Sequence, residues 1–122
     1  MDKAQAIDNF WNNFGLPAYD ENTVPQNAPM PRITYSVATG SLEDIISMTA
    51  SIWYRSSSWK DISIKAKEIE MHLGIHGGVV LDLDDGKLWL VKGVPFAQRM
   101  TDPDDSIRRI YLNIQAEYLT SY

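Results

Sequence analysis

The sequence predicts an α+β fold in which two helices pack on one face of a single antiparallel β-sheet. Segments 2–14 and 58–73 repeat apolar residues every three or four positions, the spacing of an amphipathic helix. Segments 44–56 and 107–119 alternate apolar and polar residues, as half-buried strands do. The order is helix, two strands, helix and then several strands, which favours one antiparallel sheet covered on one side.

The first helix is predicted over residues 2–14, and a long loop follows it. Asp2 is placed to cap the N-terminus and Gly15 lies just past the C-terminus. The apolar face consists of Ile7, Phe10, Trp11 and Phe14. The segment at about 17–31 contains four prolines, which remove backbone donors and favour extended geometry, so it is predicted to be a loop. A loop of this length in a small domain is usually functional or disordered.

Two strands are predicted next, over 32–39 and 44–56. Gly40 ends the first strand. The second strand has an apolar face of Ile46, Met48, Ala50, Ile52 and Tyr54. Its other face carries Ser47, Thr49, Ser51, Trp53 and Arg55. Small hydroxyl groups, an indole and a guanidinium therefore share the face that does not meet the core.

The second half of the chain is predicted to be one helix followed by strands. Ser58 and Asp61 resemble a capping box, and Gly74 ends the helix. Segment 79–93 predicts a hairpin with a type I′ turn at Asp85–Gly86. A short strand over 94–100 and a loop over 101–106 precede the final strand. That strand has an apolar face of Ile110, Leu112, Ile114, Ala116 and Tyr118, opposite Arg109, Tyr111, Asn113, Gln115 and Glu117.

The composition predicts one folded domain spanning residues 1–122. Hydrophobic residues make up 44% and charged residues 22% of the chain, as in ordinary folded proteins. The absence of cysteine excludes disulfides and thiolate metal sites. The net charge of −5, with no basic run, disfavours binding to a nucleic-acid backbone. No apolar segment has the length of a signal peptide or a membrane helix, so we expect a cytosol-like compartment and no membrane partner.

The sequence contains no convincing catalytic, cofactor or metal motif. His72 and His76 have helical ligand spacing, but Gly74 should end the helix between them. The "DLDDG" stretch fits a hairpin turn better than a calcium loop. The carboxylates of "TDPDDS" lie in one polar loop where nothing would separate their pKa values. We therefore expect no enzyme activity and no cofactor.

The outward faces of the long strands combine arginine, tryptophan and tyrosine, residue types that are enriched in protein interfaces. Packing beneath the long loop is the competing explanation for the aromatic residues. Arginine also suits bidentate pairing with carboxylates across an interface. The predicted interface residues are Asn27, Met30, Trp53, Arg55, Arg99, Asp102, Asp104, Asp105, Arg108, Arg109 and Tyr111.

Three motifs resemble the tail-terminator proteins of tailed bacteriophages and related phage-like particles, also described as tail-completion or tail-to-head joining proteins. They are "P-x-P-R-I-T-Y", "G-x-P-F-A-Q-R" and "D-x-S-I-R-R-I-Y-L-N-I". The resemblance covers nearly the whole chain and is equally compatible with a long flexible tail, a contractile tail or a headless particle. It implies an α/β fold with helices against an antiparallel sheet.

The resemblance also implies a role and partners. Members of the family form a six-fold ring at the head-proximal end of the tail tube, stop its polymerisation, and offer a docking face to the head or neck. The implied partners are other copies of the chain, the tube protein and a neck or head-completion protein, with DNA only as passing cargo. The implied location is the virion, after assembly in the host cytoplasm. The alternatives are a small protein-binding or regulatory module, or another head-tail connector component.

Overall fold

The computed structural model describes residues 1–38, 44–74 and 77–119. In these parts of the chain the elements are helices α1 (Lys3–Trp11) and α2 (Lys60–Leu73), a 3₁₀-helix (Asn12–Phe14), and strands β1 (Ala18–Asp20), β2 (Arg32–Tyr35), β3 (Ile45–Arg55), β4 (Val79–Leu83), β5 (Gly86–Met100) and β6 (Ile107–Leu119). Neither α1 nor α2 is long and apolar enough to cross a membrane.

The six strands form one sheet in the order β1-β2-β3-β6-β5-β4. This confirms the predicted α+β fold, with one correction: the sheet is mixed, because β1 pairs with β2 in parallel while the other neighbours are antiparallel. The 21–31 segment carries the chain back along the sheet before β2 begins. A long connection of this kind is what a parallel neighbour requires.

The central pair of strands is β3 and β6, joined over eleven residue pairs from Ile45↔Glu117 to Arg55↔Ile107. Alternate side chains of both strands are buried on one face, as the period-two pattern predicted. The buried members are Met48, Ala50, Ile52, Ile110, Leu112, Ile114, Ala116 and Tyr118.

Both helices pack on this buried face, as predicted. The rings of Phe10 and Phe14 lie 5.9 and 5.2 Å from the imidazole of His72 on α2. Phe10 and Ile69 belong to the same continuous core as the central strands. Val37 and Ile46 are only partly buried and pack against the edge of this core.

The ends of α1 follow the predicted signals, and the start of α2 does not. The Asp2 carboxylate accepts a hydrogen bond from the Gln5 backbone nitrogen at 2.8 Å, which completes a capping box. The Ser58–Asp61 capping box is wrong, because Trp59 is the N-cap of α2 and makes no side-chain capping bond. The Ser58 hydroxyl accepts instead from the Lys60 backbone nitrogen.

Strand β5 corrects two further expectations. Segment 94–100 is not a separate strand, because β5 continues through a wide bulge in which 93–96 lie opposite the single residue Asn113. The bulge leaves Val94 96% exposed. The β4–β5 turn consists of residues 84–85, one position before the predicted pair, since Leu83 pairs with Gly86.

The region 17–31 is also not entirely loop, because β1 lies within it. The Asp20 side chain accepts a hydrogen bond from the Asn22 backbone nitrogen and so turns the chain after β1. Predicted features at Gly40 and His76 lie outside the described residues.

A core substitution in α2 tests this packing. We expect Ile69→Ala to lower the free energy of unfolding by about 2–5 kcal/mol, because the side chain is fully buried and its removal leaves a cavity. Ile64→Ala on the same helix is the matched control, since Ile64 is 57% exposed. Urea unfolding of both variants measures the difference, and equal losses would contradict the assigned helix orientation.

The Tyr35 hydroxyl links β2 to α1, and it makes the free energy of unfolding depend on pH in the alkaline range. It donates to the Asp8 carboxylate at 2.6 Å. Burial, together with this carboxylate, raises the pKa of Tyr35 well above its ordinary value. The unfolded chain therefore ionises first, near pH 10, and the Tyr35 contribution is complete below that pH and is lost as pH rises toward the folded-state pKa.

We expect Tyr35→Phe to lower the free energy of unfolding by about 1–3 kcal/mol at neutral pH, because it removes a hydrogen bond to a charged group. The difference from the wild type should shrink above pH 10. Denaturant titrations at pH 7 and at pH 10.5 provide the measurement. A difference that stays constant across this range would show that Tyr35 ionises equally in both states.

Candidate interaction surface

All five arginines of the chain lie at one end of the sheet, although they come from four different strands. The rung of the sheet that joins β2, β3, β6 and β5 at this end consists of Arg32, Trp53, Arg109 and Met100. Each remaining arginine lies within two positions of this rung. We call the group the arginine end; it comprises Arg32, Arg55, Arg99, Arg108 and Arg109.

On the open face of the sheet, opposite the helices, two arginines contact one tryptophan. The guanidinium carbons of Arg32 and Arg109 lie 5.7 and 4.7 Å from the Trp53 ring centre. Arg109 also lies 5.9 Å from the ring of Tyr111. These distances are typical of cation–π contacts, in which the cation lies over the aromatic ring.

Hydrogen bonds to small hydroxyl groups hold this cluster in place. The indole nitrogen of Trp53 donates to the Thr34 hydroxyl at 2.9 Å, and Nε of Arg109 donates to the Ser51 hydroxyl at 3.0 Å. Thr34 and Ser51 are buried although they face away from the helices. The larger side chains lie over them, so this part of the open face is ordered within the single chain.

On the helix face, the arginine end repeats the arrangement around a second tryptophan. Arg99 and Arg108 lie 4.8 and 5.4 Å from the Trp59 ring centre, just before α2 begins. Arg108 also donates to the backbone oxygens of Ser57 and Asp105 at 2.9 and 2.8 Å. The predicted interface arginines thus divide between the two faces of the sheet.

The arginine end has little compensating negative charge in direct contact. Arg55 forms an ion pair with Asp104 at 3.8 Å, and both side chains are more than half exposed. Within the described parts of the chain, no carboxylate forms an ion pair with the other four arginines. The Nε atoms of Arg32 and Arg108 are buried without a hydrogen-bond partner. No described carboxylate therefore neutralises these four guanidinium groups directly, and Arg99 is the exposed one among them.

The carboxylates of the 101–106 loop stabilise its turns. Asp102 accepts from the Asp104 backbone nitrogen at 2.9 Å, and Asp104 accepts from the backbone nitrogen and hydroxyl of Ser106 at 2.8 and 2.7 Å. The bonds from Ser106, helped by Arg55, hold the pKa of Asp104 below its ordinary value. Asp104 and Asp105 are exposed, and this geometry gives the loop a structural role.

The 21–31 segment is adjacent to the arginine end. Arg32 donates to the backbone oxygen of Ala28 at 3.1 Å. Asn27 is exposed and Met30 is half-buried in the same segment. The structure therefore brings the predicted residues of this segment to the same end of the sheet as Trp53 and Arg109.

Sequence reasoning missed Arg32 and Trp59. The alternation of "RITY" places Arg32 on the same face as Thr34, so the pattern contained a usable signal. Trp59 precedes α2 in a short connection without periodicity, and its two arginine neighbours follow about 40 residues or more later in the chain.

Surface grooves occur on both faces of the sheet. One, of about 410 Å³, runs between α2 and β5 and is lined in part by Arg99 of the arginine end. Another, of about 190 Å³, lies on the open face near Ile45 and Trp89. A third, of about 300 Å³, lies between α1 and β4, and its lining includes His72 and Asp82. Among residues 1–38, 44–74 and 77–119, no three histidine or carboxylate side chains converge as a metal site would require.

His72 is also far from the acidic loop. It lies thirteen residues along α2 from Trp59, which corresponds to roughly 20 Å of helix. Trp59 contacts the arginine end, whereas His72 packs against Phe10 and Phe14 at the other end of α2. A shared site for His72 and the 102–105 carboxylates is therefore not formed.

Comparison with known proteins shows a shared fold. No family model matches the sequence, and no curated protein matches it. Among solved structures, the chain is similar to a chain of the virion of a native gene transfer agent particle, with a TM-score of 0.65 and 16% sequence identity. The alignment covers 98% of this chain and 96% of that chain. The two chains therefore share a fold over nearly their full length.

The hydrogen bond beneath Trp53 can be tested by an isosteric change. We expect Thr34→Val to lower the free energy of unfolding by about 1–3 kcal/mol, because it leaves the half-buried indole N–H without its acceptor. Thr101→Val in the exposed loop is the control and should change stability by less than about 0.5 kcal/mol. If Thr34→Val matches the control in thermal unfolding, the Trp53 orientation does not depend on this bond.

Proposed function

We propose that the chain is a structural protein of a phage-like particle. In this proposal it forms a six-fold ring that caps the head-proximal end of the tail tube, terminates tube polymerisation and provides the docking face for the head or neck. The observation that carries the proposal is the full-length fold likeness to a chain of a gene transfer agent virion. The three sequence motifs that resemble tail-terminator proteins support the same role.

The surface chemistry supports an assembly role. A ring subunit needs two different lateral surfaces, because a heterologous contact closes only when one patch meets a second, complementary patch. The arginine end offers one such patch, with ordered aromatic and guanidinium groups of the kinds enriched at interfaces. The 21–31 segment, adjacent to this patch, is a candidate arm for lateral or axial contacts.

The proposal assigns partners and a location. The partners are other copies of the chain, the tail tube protein and a neck or head-completion protein, with DNA passing through the lumen as cargo. The location is the virion, at the head-proximal end of the tail, after assembly in the host cytoplasm. We propose a non-enzymatic role, since His72 and the 102–105 carboxylates, the sequence-predicted candidates for acid–base chemistry, lie in different parts of the fold.

Size-exclusion chromatography with light scattering, followed by negative-stain microscopy, tests this function. We expect a purified assembly of six copies that appears as a ring, and we expect added protein to shorten tube polymers formed by the cognate tube protein. The assembly should weaken at high salt if ion pairs join the subunits. A protein that stays monomeric at high concentration and leaves tube length unchanged would instead favour the protein-binding module.

A further inference from the structure

We propose that the arginine end of one copy binds the acidic end of the next copy, and that this contact is the lateral joint of the ring. The inference rests on the proposed function and names the chemistry of its interface. It follows from the position of the two charged groups at opposite ends of one sheet.

The acidic end is formed by the β4–β5 turn and the end of β6. Asp82, Asp84 and Asp85 lie in or beside the turn, and Lys87 pairs with Leu119, the last residue of β6. Asp82 is paired with Lys87, and Asp84 with the N-terminal amine. Asp85 is exposed, and no ion pair or hydrogen bond joins its side chain to another described residue.

The two charged ends cannot meet within one molecule. Strand β6 runs between them over 13 residues, which corresponds to about 40 Å at the rise of an extended strand. Ion pairs require the charged atoms to lie within a few ångströms of each other. A pair between the two ends therefore needs a second copy, and because the two patches differ, the contact is heterologous and can close into a ring.

Both ends also present apolar side chains beside their charges. Met100, on the central rung of the arginine end, is 37% exposed. Ile45 and Leu119, at the acidic end, are 66% and 36% exposed, and Ile45 lies at the open-face groove of about 190 Å³. Apolar groups surrounded by polar and charged groups are the usual anatomy of a protein interface.

A protein surface fits the arginine end better than DNA does. Asp102, Asp104 and Asp105 lie in the loop at this same end and would repel a polyanion. The net charge of −5 acts in the same direction. The planar guanidinium groups, which contact Trp53 and Trp59, suit bidentate pairing with individual carboxylates on a protein surface.

Charge reversal tests the contact. We expect Arg109→Glu and Asp85→Arg each to raise the protein concentration needed for half-assembly by at least about tenfold, because each places like charges at the joint. An equimolar mixture of the two variants should assemble again. In a ring with an even number of subunits the two variants can alternate. Each joint then contains either both reversed residues or both wild-type residues, so the charges are opposite at every joint. The double variant in one chain should assemble for the same reason.

Matched controls keep the net charge change but move it away from both ends. Lys92→Glu lies on β5 opposite Ile114, near the middle of β6, and Glu68→Arg lies on α2; we expect wild-type assembly from both. Circular dichroism and thermal unfolding establish that each variant is folded. If Arg109→Glu fails to fold because it disturbs the Trp53 cluster, the exposed Arg99→Glu takes its place in the same design.

The outcomes separate this inference from the proposed function. A wild-type protein that never assembles would overturn both. If the wild type forms rings, two results would overturn only the assigned joint. One is that the single charge-reversal variants assemble like the wild type, and the other is that the mixture of the two variants does not assemble. Retardation of duplex DNA by the wild type, lost in Arg109→Glu, would assign the arginine end to nucleic acid instead.

Discussion

The eleven-residue antiparallel pairing of β3 with β6 is the constraint on which the rest of the structure depends. One face of this pair supplies the apolar floor on which both helices pack, and the other face carries Trp53 and Arg109 side by side. A slip of one residue would exchange the two faces, burying guanidinium and indole groups and exposing isoleucine. The hydrophobic core therefore fixes the register, and the register places the cationic surface.

The local patterns of the sequence predict most of the fold. The apolar spacing of α1 and α2 and the alternation in β3 and β6 predict which side chains are buried, and the buried residues agree except for Ile46 and Tyr54, which are only partly buried. The features that escaped prediction depend on partners distant in sequence. Strand β1 is three residues long in a proline-rich segment and exists because β2 pairs with it. The continuity of β5 through its bulge depends on pairing with β6, whereas the sequence of residues 93–96 alone, with a glycine and a proline, predicts the end of a strand.

The candidate surface was predictable residue by residue but not as an arrangement. Alternation correctly placed Trp53, Arg109 and Tyr111 away from the core. It could not show that Arg32 lies on the other side of Trp53, because strand neighbours are set by the sheet order. It also did not separate Arg108 from Arg109, which are adjacent in sequence and lie on opposite faces of β6 around different tryptophans. The chemistry of each side chain can be read from the sequence, whereas the strand order of the sheet decides which side chains lie together.

The arginine end is ordered before any partner binds, which reduces the conformational entropy lost when an interface forms. Cation–π contacts and the Ser51 hydrogen bond already restrict Arg109, and Thr34 already orients Trp53. An ordered cationic patch on an acidic chain, about 40 Å from its own acidic turn, is the physical basis of the proposed directional contact between copies.

A cryo-electron microscopy structure of the wild-type assembly tests the proposed joint between subunits most directly. We expect the arginine end to be buried against the β4–β5 turn of the neighbouring subunit, with an acidic side chain of that turn in ion-pair contact with Arg109 or Arg99. An assembly in which the arginine end faces solvent or the central opening, with the subunits joined through other surfaces, would contradict it.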